Sequence, residues 1–352
     1  MKKKILYYGS CWPTNIGNAF VNFGAINSIK RALGDNIEIY HFGGMSSYLF
    51  RIHGYPQNNL DINVFADFDY VVLGGMTQCV DNFEAAEVLL RSFVQRGIKI
   101  IISGGGAGHY TQEEVRVVRE WMREIPIFCF ISRDRYSYEN YHDLADGSFD
   151  GIDSAFFVPD NFKPIPFGRQ EFNVLNFDSY DEPAIVNSTN GTDSAETQTD
   201  IQKTVERRYL RGFRRYLKQF IGIPTPPLEK PCVPAVLDMG GRAVIRTHHA
   251  AWPSQTTEKQ FIRKNTLISD LPSDYLTLYS QAHTVYSDRI HACIATLAFG
   301  NRAMLFGREV PRLRMFERVG AREIMNKPVQ LDMENLSELK RQQVEFLRKT
   351  LI

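Results

Sequence analysis

Apolar runs of strand length recur through the first half of the chain, separated by stretches with helical spacing. The runs lie at residues 4–8, 37–42, 70–73, 99–102 and 127–131. Helical spacing of apolar residues is clearest at 19–33 and 83–95. A run that is apolar at every position is typical of a strand buried on both faces. The alternation therefore predicts an α/β fold with a doubly wound parallel sheet.

The second half begins in the same way and then loses the pattern. A strand is predicted at residues 173–177, whereas residues 187–200 have almost no apolar content and are predicted to form a loop. Residues 201–221 regain helical spacing, with seven lysines and arginines against one glutamate. This basic helix could bind anionic lipid headgroups or a pyrophosphate-linked glycan. Packing of its apolar stripe on the second domain is the favoured interpretation, because most amphipathic helices are core elements.

Residues 283–307 form the clearest strand, helix and strand unit of the second half. Ser287 and Asp288 are good N-cap residues after a short apolar run, and Gly300 is a natural end for the helix. Arg289 and His291 then fall in the first turn of that helix. A guanidinium, an imidazole and the free N–H groups of a helix start meet at the carboxyl edge of a parallel sheet. The unit predicts a phosphate or carboxylate site.

Polar or glycine-rich loops follow several other predicted strands, at the edge where α/β folds bind ligands. These loops contain Asn15, Gly17, Asn18, Gly74, Gly75, the glycines of 103–109, Arg133, Asp134, His248, His249 and Trp252. The glycines allow a ligand to approach the backbone, but their spacing is not that of a dinucleotide fingerprint, so a nicotinamide cofactor is not expected. The adjacent histidines fit an oxyanion or carbohydrate better than a metal ion, and Trp252 offers a face for a sugar.

Composition narrows the classes of partner and compartment. The 352 residues are enough for about two domains, and 41 Lys plus Arg against 40 Asp plus Glu leave a net charge of +1, so nucleic acid is not an expected partner. The five cysteines are scattered and never spaced as Cys-x-x-Cys, which argues against disulfides and zinc and for a reducing cytoplasm. Apolar runs are too short for a secretion signal or a membrane span, so at most peripheral membrane contact is expected.

Several of these motifs together resemble the polysaccharide pyruvyl transferase family. Residues 288–292 (Asp-Arg-Ile-His-Ala), followed by an apolar helix and Phe299-Gly300, are similar to its Asp-Arg-Leu-His-(Ala/Gly) signature with Ile in place of Leu. The loop at 15–18 resembles its Asn-x-Gly-Asp loop, with Asn18 where the acid usually stands. Residues 133–137 resemble its Arg-(Asp/Glu)-x-x-Ser segment, and residues 153–156 its Asp-x-Ala-Phe turn.

The resemblance implies a fold and a reaction. The fold would be GT-B-like, with two Rossmann-like domains facing a cleft: 1–168 on the acceptor side and 169–332, with an insertion at 187–234, on the donor side, followed by a helix at 333–352. Members of the family transfer the pyruvyl group of phosphoenolpyruvate to two hydroxyls of one sugar, forming a cyclic ketal and releasing phosphate. The acceptor would be a surface polysaccharide or its free or lipid-linked precursor, and no cofactor or metal ion is required.

Roles for individual residues follow from that chemistry. Two anionic groups of the donor must be held, which suits Arg289 with Arg246 or Arg133, and His248 beside them. His291 is the candidate acid that protonates the donor's methylene carbon. Candidates for the base that accepts the sugar's protons are Asp153, Asp134 and His109. Residues assigned to the acceptor side are Asn15, Gly17, Asn18, Gly75 and His109.

Two other functions remain compatible with the same sequence. A GT-B glycosyltransferase that uses a nucleotide sugar would need an acid to hold the ribose hydroxyls, and Glu309 and Glu317 are candidates. A homologue without catalytic activity would only bind anionic glycans; the presence of Arg289 and His291 argues against it, whereas Asn18 and the basic helix are compatible with it.

Overall fold

The computed structural model describes residues 2–9, 15–43, 62–168, 171–178, 182, 187–188, 237–249, 265–307 and 311–351. The basic helix predicted at 201–221, Trp252 and Glu309 lie outside these residues. None of the described helices is both long and apolar enough to cross a membrane.

The first half forms a seven-stranded parallel sheet. Its strands are β1 (Lys3–Gly9), β2 (Ile37–Gly43), β3 (Tyr70–Gly74), β4 (Thr77–Gln78), β5 (Lys99–Ala107), β6 (Ile127–Ser132) and β7 (Ala145–Asp150). The order is β2-β1-β3-β5-β6-β7, and β4 pairs with the end of β5. Strands β1 and β3 are buried along most of their length, as expected from continuous apolar runs.

Helices connect these strands. They are α1 (Gly17–Leu33), α2 (Val80–Gln95), α3 (Gln112–Glu124) and α4 (Arg135–Tyr141), and a 3₁₀ helix, Ser154–Asp160, follows the sheet. Helix α1 begins two residues earlier than predicted, so Gly17 and Asn18 belong to its first turn rather than to a loop. Strand β5 also runs beyond its predicted end through the glycines to Ala107, because glycine can pair in a sheet even where the register shifts between Ser103 and Gly105.

The second half forms a smaller, five-stranded parallel sheet in the order β12-β11-β8-β13-β14. Its strands are β8 (Phe172–Asn176), β11 (Ala243–Thr247), β12 (Thr266–Leu267), β13 (Thr284–Ser287) and β14 (Arg302–Leu305). A separate antiparallel pair joins β9 (Asn187–Ser188) to β10 (Leu237–Asp238). The prediction of a loop was therefore wrong for residues 187–188, because backbone pairing with β10 forms a short strand without apolar side chains.

The register of the second sheet brings three strand ends to one level. Asn176 at the end of β8 pairs with Thr247 of β11 on one side and with Ser287 of β13 on the other. The residues that follow these strands must therefore lie side by side at the carboxyl edge. Helices α5 (Pro272–Gln281) and α6 (Ile290–Ala298) flank β13, with α6 leaving the sheet at this edge.

The last helices return the chain to the first half. A short helix α7 (Met315–Arg318) follows β14, and the long helix α8 (Met333–Leu351) packs on the first sheet and α1. Arg348 Nε donates to the Ala32 carbonyl at 3.0 Å, and the Ile152 N–H donates to Gln343 Oε1 at 3.0 Å. One hydrophobic cluster consequently includes β1, α1, α6 and α8, so the two halves share a core.

Candidate active site

His291 lies where α6 starts, against the first half of the molecule. Arg289 is the N-cap of this helix, one or two positions after the predicted caps, and its N–H donates to Ser287 Oγ at 2.8 Å. His291 is therefore the second helical residue and only 7% exposed. Its Nε2 lies 3.6 Å from Asp153 Oδ2, a carboxylate that belongs to the first half. The structure thus brings the candidate acid, His291, next to Asp153, one of the three candidate bases.

The two carboxylate oxygens of Asp153 have different partners: one caps a helix and the other faces the candidate site. Oδ1 accepts from the Ala155 N–H at 2.9 Å and caps the 3₁₀ helix, whereas Oδ2 faces His291 and also lies 3.9 Å from Arg133 Nη1. The residue is 1% exposed. Burial acts to raise the pKa of Asp153, but His291 and Arg133 outweigh it and bring the pKa to about 2. The carboxylate is therefore charged at any physiological pH.

Arg133 follows β6 and is buried with unused donors. Its backbone N–H donates to the Gly105 carbonyl at 2.9 Å, and its guanidinium lies on Gly106, where an added Cβ would be 2.3 Å from Nε. The side chain is 2% exposed. Within the described residues its Nε and Nη2 have no hydrogen-bond partner. The glycine run of β5 therefore makes room for an arginine, and this arginine retains donors for an anion.

Arg312 is a second cation near Arg133 and His291, and it was not among the predicted site residues. It lies in a 3₁₀ helix, Pro311–Arg314, beyond β14. The charge of nearby Arg133, followed by burial, lowers the pKa of Arg312 to about 10. Its Nε has no hydrogen-bond partner in the described part of the chain. An arginine in a short, irregular segment carries no periodic signal, so only the fold could show that it approaches Arg133.

The surroundings of His291 favour its neutral form. Burial lowers the pKa of His291; Asp153 opposes this change, and the charges of Arg312 and Arg133 add to it. The site at neutral pH therefore holds one carboxylate, two guanidiniums and an uncharged imidazole. An anion bound near these groups would add negative charge and raise the pKa of His291.

The loop that resembles Asn-x-Gly-Asp packs on His291. A Cβ added to Gly17 would lie 2.8 Å from His291 Cβ and 3.1 Å from Nδ1. Asn15 Oδ1 accepts from the Gly17 N–H at 3.1 Å, and the Ile16 N–H donates to the His249 carbonyl at 3.2 Å. Only a residue without a side chain permits this approach, so the glycine joins the start of α1 to the start of α6.

Arg289 and His248 both lie next to the carboxylate of Asp178, which was not among the predicted site residues. Asp178 follows β8, and its Oδ2 pairs with Arg289 Nε while its Oδ1 lies 3.4 Å from His248 Nε2. The backbone N–H of Asp178 donates to both oxygens of Asp288 at 3.0 Å. Asp178 could have been found by the rule that was applied to the other strand ends, because it is a polar residue directly after a buried strand.

Arg246, a predicted donor ligand, is bound by a carboxylate of the protein. Its Nη2 lies 2.8 Å from Glu182 Oε1, and Nε donates to both Glu182 oxygens at 2.9 Å. Both side chains are largely buried. The charge of Arg246 is therefore neutralised by its own carboxylate, whereas Arg133 shares Asp153 with His291 at longer distances.

Among the three candidates for the base, Asp153 is the one that faces His291. Asp134 is occupied at both oxygens: Oδ1 caps α4 through the Ser137 N–H and hydroxyl, each at 2.8 Å, and Oδ2 accepts from Tyr110 at 3.2 Å. His109 has an exposed side chain, and its backbone N–H donates to Glu114. Gly75, assigned to the acceptor, lies in a turn after β3 against Val21.

Comparisons with known proteins address the family and the fold. A family model described as polysaccharide pyruvyl transferase matches residues 15–308, which is more than half of the chain. No curated protein matches the chain significantly. The solved S. aureus MnaA–UDP co-structure is similar with a TM-score of 0.50 at 10% identity, over 98% of this chain and 91% of that one. The UDP-GlcNAc 2-epimerase from Methanocaldococcus jannaschii has a TM-score of 0.48 at 13% identity, over 100% and 98% of the two chains.

At these identities the S. aureus match shows the fold alone. That fold is the GT-B-like arrangement of two Rossmann-like domains that the sequence predicted. The fold does not select a reaction, because one architecture carries many chemistries, so the reaction must be argued from the site.

Proposed function

The chain belongs to the polysaccharide pyruvyl transferase family, and we propose that it transfers the pyruvyl group of phosphoenolpyruvate to two hydroxyls of one sugar. The product is a cyclic ketal, and inorganic phosphate is released. The acceptor in this proposal is a polysaccharide or its free or lipid-linked precursor, and the reaction takes place in the cytoplasm. The free thiols of Cys79, Cys129 and Cys293 fit a reducing compartment.

The observation that carries the proposal is the pair of arginines beside His291, of which Arg133 is buried and Arg312 half-buried. Arg133 and Arg312 repel each other, and both retain N–H groups without a partner in the described residues. Burying two cations with unused donors is unfavourable unless an anion neutralises them. Phosphoenolpyruvate has a phosphate and a carboxylate on adjacent atoms, and guanidinium groups bind both in bidentate geometry. These arginines support a donor position between the two halves in this proposal, rather than on the second half alone.

His291 is assigned the proton transfer to the donor. Bound phosphoenolpyruvate raises the pKa of His291 and charges the imidazole, and Asp153 at 3.6 Å stabilises the cation. The imidazolium gives its proton to the methylene carbon, which becomes a methyl group and leaves an oxocarbenium-like centre. Asp153 has a pKa of about 2 and remains a carboxylate throughout. Its role is to orient and stabilise His291, as a buried carboxylate does for a catalytic histidine.

The atoms of the overall reaction balance without a cofactor. Two hydroxyl oxygens of the sugar form bonds to the central carbon of the donor, and the bond from that carbon to the phosphate oxygen breaks. One hydroxyl proton ends on the new methyl group, by way of His291, and the other on the phosphate. Arg133 and Arg312 stabilise the leaving phosphate as its charge increases.

The other proposed ligands take positions around this group. Arg289, with Asp178 on its Nε, contributes to donor binding from the second half, together with His248. Arg246 joins them only if Glu182 releases it. The acceptor is assigned to the first half, at Asn15, Gly17, Asn18, Gly75 and His109. The first three lie at the start of α1, where Gly17 packs on His291.

Binding is the first test of this function. We expect titration calorimetry to show binding of phosphoenolpyruvate, and Arg133→Ala and Arg312→Ala to weaken it by about tenfold to a hundredfold, the loss of one charge-assisted hydrogen bond each. Arg341→Ala is the matched control, because Arg341 is an exposed arginine whose ion pairs with described residues are all to surface glutamates. Binding of a nucleotide sugar instead would favour the glycosyltransferase, with Glu317 as the candidate ribose ligand in the described residues.

Product formation is the second test. The chain is incubated with phosphoenolpyruvate and a panel of oligosaccharides, and phosphate release is measured together with the mass of the sugar. Phosphate release that requires the sugar, with a pyruvylated product, is the expected result. Phosphate release without a modified sugar would indicate hydrolysis, and binding of glycans without any turnover would favour the non-catalytic homologue.

A further inference from the structure

A buried carboxylate, Asp178, stands at the centre of the second sheet's carboxyl edge. It follows β8, the middle strand, while His248 follows β11 on one side and Arg289 follows β13 on the other. The three strand ends are in register, so the three side chains are brought together by the sheet itself. This arrangement belongs to the region where the proposed function places the donor, and the inference below rests on that function.

Both carboxylate oxygens of Asp178 contact residues of the candidate site. Oδ2 pairs with Arg289 Nε, and Oδ1 lies 3.4 Å from His248 Nε2 and accepts from the His249 N–H at 3.2 Å. The Asp178 side chain is 1% exposed. Burial raises the pKa of Asp178, with a further increase from Asp288, whereas Arg289 and His248 lower it. A carboxylate in this environment forms strong, directional contacts, because little water competes for its oxygens.

The contact with Asp178 leaves the ligand-binding edge of Arg289 free. Within the described residues, the guanidinium forms a hydrogen bond through Nε alone, to Asp178, and Nε also lies 3.9 Å from Asp288 Oδ1. In the described part of the chain, no hydrogen bond involves its two terminal nitrogens. The Arg289 side chain is 32% exposed. Asp178 therefore fixes the plane of the guanidinium while the two terminal NH₂ groups remain available to an anion.

Asp178 also connects this arginine to the first half. The backbone of His249 forms two hydrogen bonds. Its N–H donates to Asp178, and its carbonyl accepts from the Ile16 N–H at 3.2 Å. The next residue, Gly17, packs on His291. His249 is held from its ring as well, through Nε2 at 2.6 Å from the Tyr279 hydroxyl. A displacement of Asp178 would therefore move Arg289 and the loop on His291 together.

We propose that Asp178 is a positioning residue for the transfer reaction: its carboxylate orients Arg289 and His248 toward the donor and sets the position of the 15–17 loop over His291. It does not touch the donor. Asp178 affects donor binding because it orients Arg289. It affects turnover to a smaller extent, because it sets the position of the 15–17 loop.

The test compares Asp178→Asn with a carboxylate at the opposite end of the same strand. Glu171 precedes β8 and pairs with Arg242 at 2.9 Å, on the exposed amino edge of the sheet. We expect Asp178→Asn to raise the KM for phosphoenolpyruvate by about tenfold to a hundredfold, the usual effect of removing an orienting partner, with a smaller fall in kcat. Glu171→Gln should leave both constants unchanged. A KM for Asp178→Asn within twofold or so of wild type would overturn the proposal.

A double-mutant cycle separates positioning from general damage to the fold. If Asp178 acts through Arg289, Asp178→Asn should add little to the KM already raised by Arg289→Ala; fully additive effects would contradict it. Asp178→Glu keeps the charge and displaces it, so it covers the case in which the asparagine variant does not fold, and its KM should also rise. A wild-type chain that neither binds nor consumes phosphoenolpyruvate would overturn the proposed function and this inference with it. A normal wild-type enzyme with additive mutations would overturn only the inference.

Discussion

The arrangement of His291 and Asp153 is the smallest unit in which the proposed chemistry resides. Each residue comes from a different half, and their side-chain atoms are 3.6 Å apart. Arg133 Nη1 lies 3.9 Å from the same carboxylate oxygen. One buried oxygen therefore lies near both an imidazole and a guanidinium. Loss of either side chain would raise the pKa of Asp153, and loss of Asp153 would lower the pKa of His291 further.

Replacement of His291 should remove the proton transfer and leave the donor site intact. We expect His291→Ala to lower kcat by about 10² to 10⁴, the contribution of a positioned acid, while the Kd for phosphoenolpyruvate changes little. Steady-state phosphate release and calorimetry measure the two quantities. His283→Ala is a suitable control, because His283 lies at the other end of β13. A variant that keeps more than half of the wild-type kcat would contradict the assignment.

The pH dependence of stability should report the buried imidazole. The folded-state pKa of His291 is below its ordinary value of 6.5, so the unfolded chain binds this proton more tightly and stability falls as the pH decreases below 6.5. Asp153 does not contribute in this window, because its pKa of about 2 keeps it ionised well below its ordinary 3.8. His291→Gln should therefore lose less thermal stability than wild type between about pH 7 and pH 5. Equal losses in parallel melting curves would show that His291 is not held neutral.

At the scale of elements, the strands were predictable and their neighbours in space were not. Continuous apolar runs placed β1, β3 and β6 because burial on both faces leaves this pattern in the sequence. The pairing Asp153 with His291 could be expected only from the family motifs, since 138 residues of chain separate the two positions. Arg312 was missed because an irregular segment has no period. Asp178 directly follows the predicted strand at 173–177, so the rule for polar residues at strand ends covers it, although it was not applied there. Chain connectivity alone does not tell which strand ends become neighbours.

The contact between α1 and the 3₁₀ helix after Asp153 depends on one glycine. A Cβ on Gly24 would lie 1.8 Å from the Ser154 carbonyl oxygen, so alanine there must push the two elements apart. We expect Gly24→Ala to destabilise the fold by about 1–3 kcal/mol, the range for overpacking, and to lower kcat because Asp153 begins that helix. Chemical denaturation measures the first effect.

The control for this prediction is another glycine of the chain. Gly168 has open space where a Cβ would be added, so Gly168→Ala should change neither stability nor kcat. If Gly24→Ala matched this control in both measurements, the close packing of α1 on the Asp153 turn would be refuted.

At the scale of the whole molecule, helix α8 makes the two halves one folding unit. It leaves the second half and packs on the first, and Leu347 within it is fully buried in the shared core. Two Rossmann-like domains joined by a single linker would be free to unfold separately. The common core and the returning helix oppose this, because neither sheet keeps its apolar surface covered without the other.

Truncation of Leu347 should weaken both halves at once. We expect Leu347→Ala to cost about 2–5 kcal/mol, as for other buried leucines, and to shift a single unfolding transition without splitting it. Calorimetry measures the number of unfolding transitions, and fluorescence probes in each half show whether the two halves unfold at the same temperature. Arg341 lies on the exposed face of the same helix, so Arg341→Ala should change the free energy of unfolding by less than about 0.5 kcal/mol. Two resolved transitions in the variant would show that the halves unfold independently.

The division of the site between distant segments also has a consequence for the order of events during synthesis. Asp153 and Arg133 leave the ribosome long before His291, and α8 is made later still. A nascent or truncated chain can therefore present the arginine and the carboxylate but not the histidine that pairs with them. Under the proposed chemistry, a partly made enzyme does not consume phosphoenolpyruvate until the second half has been made and has packed on the first.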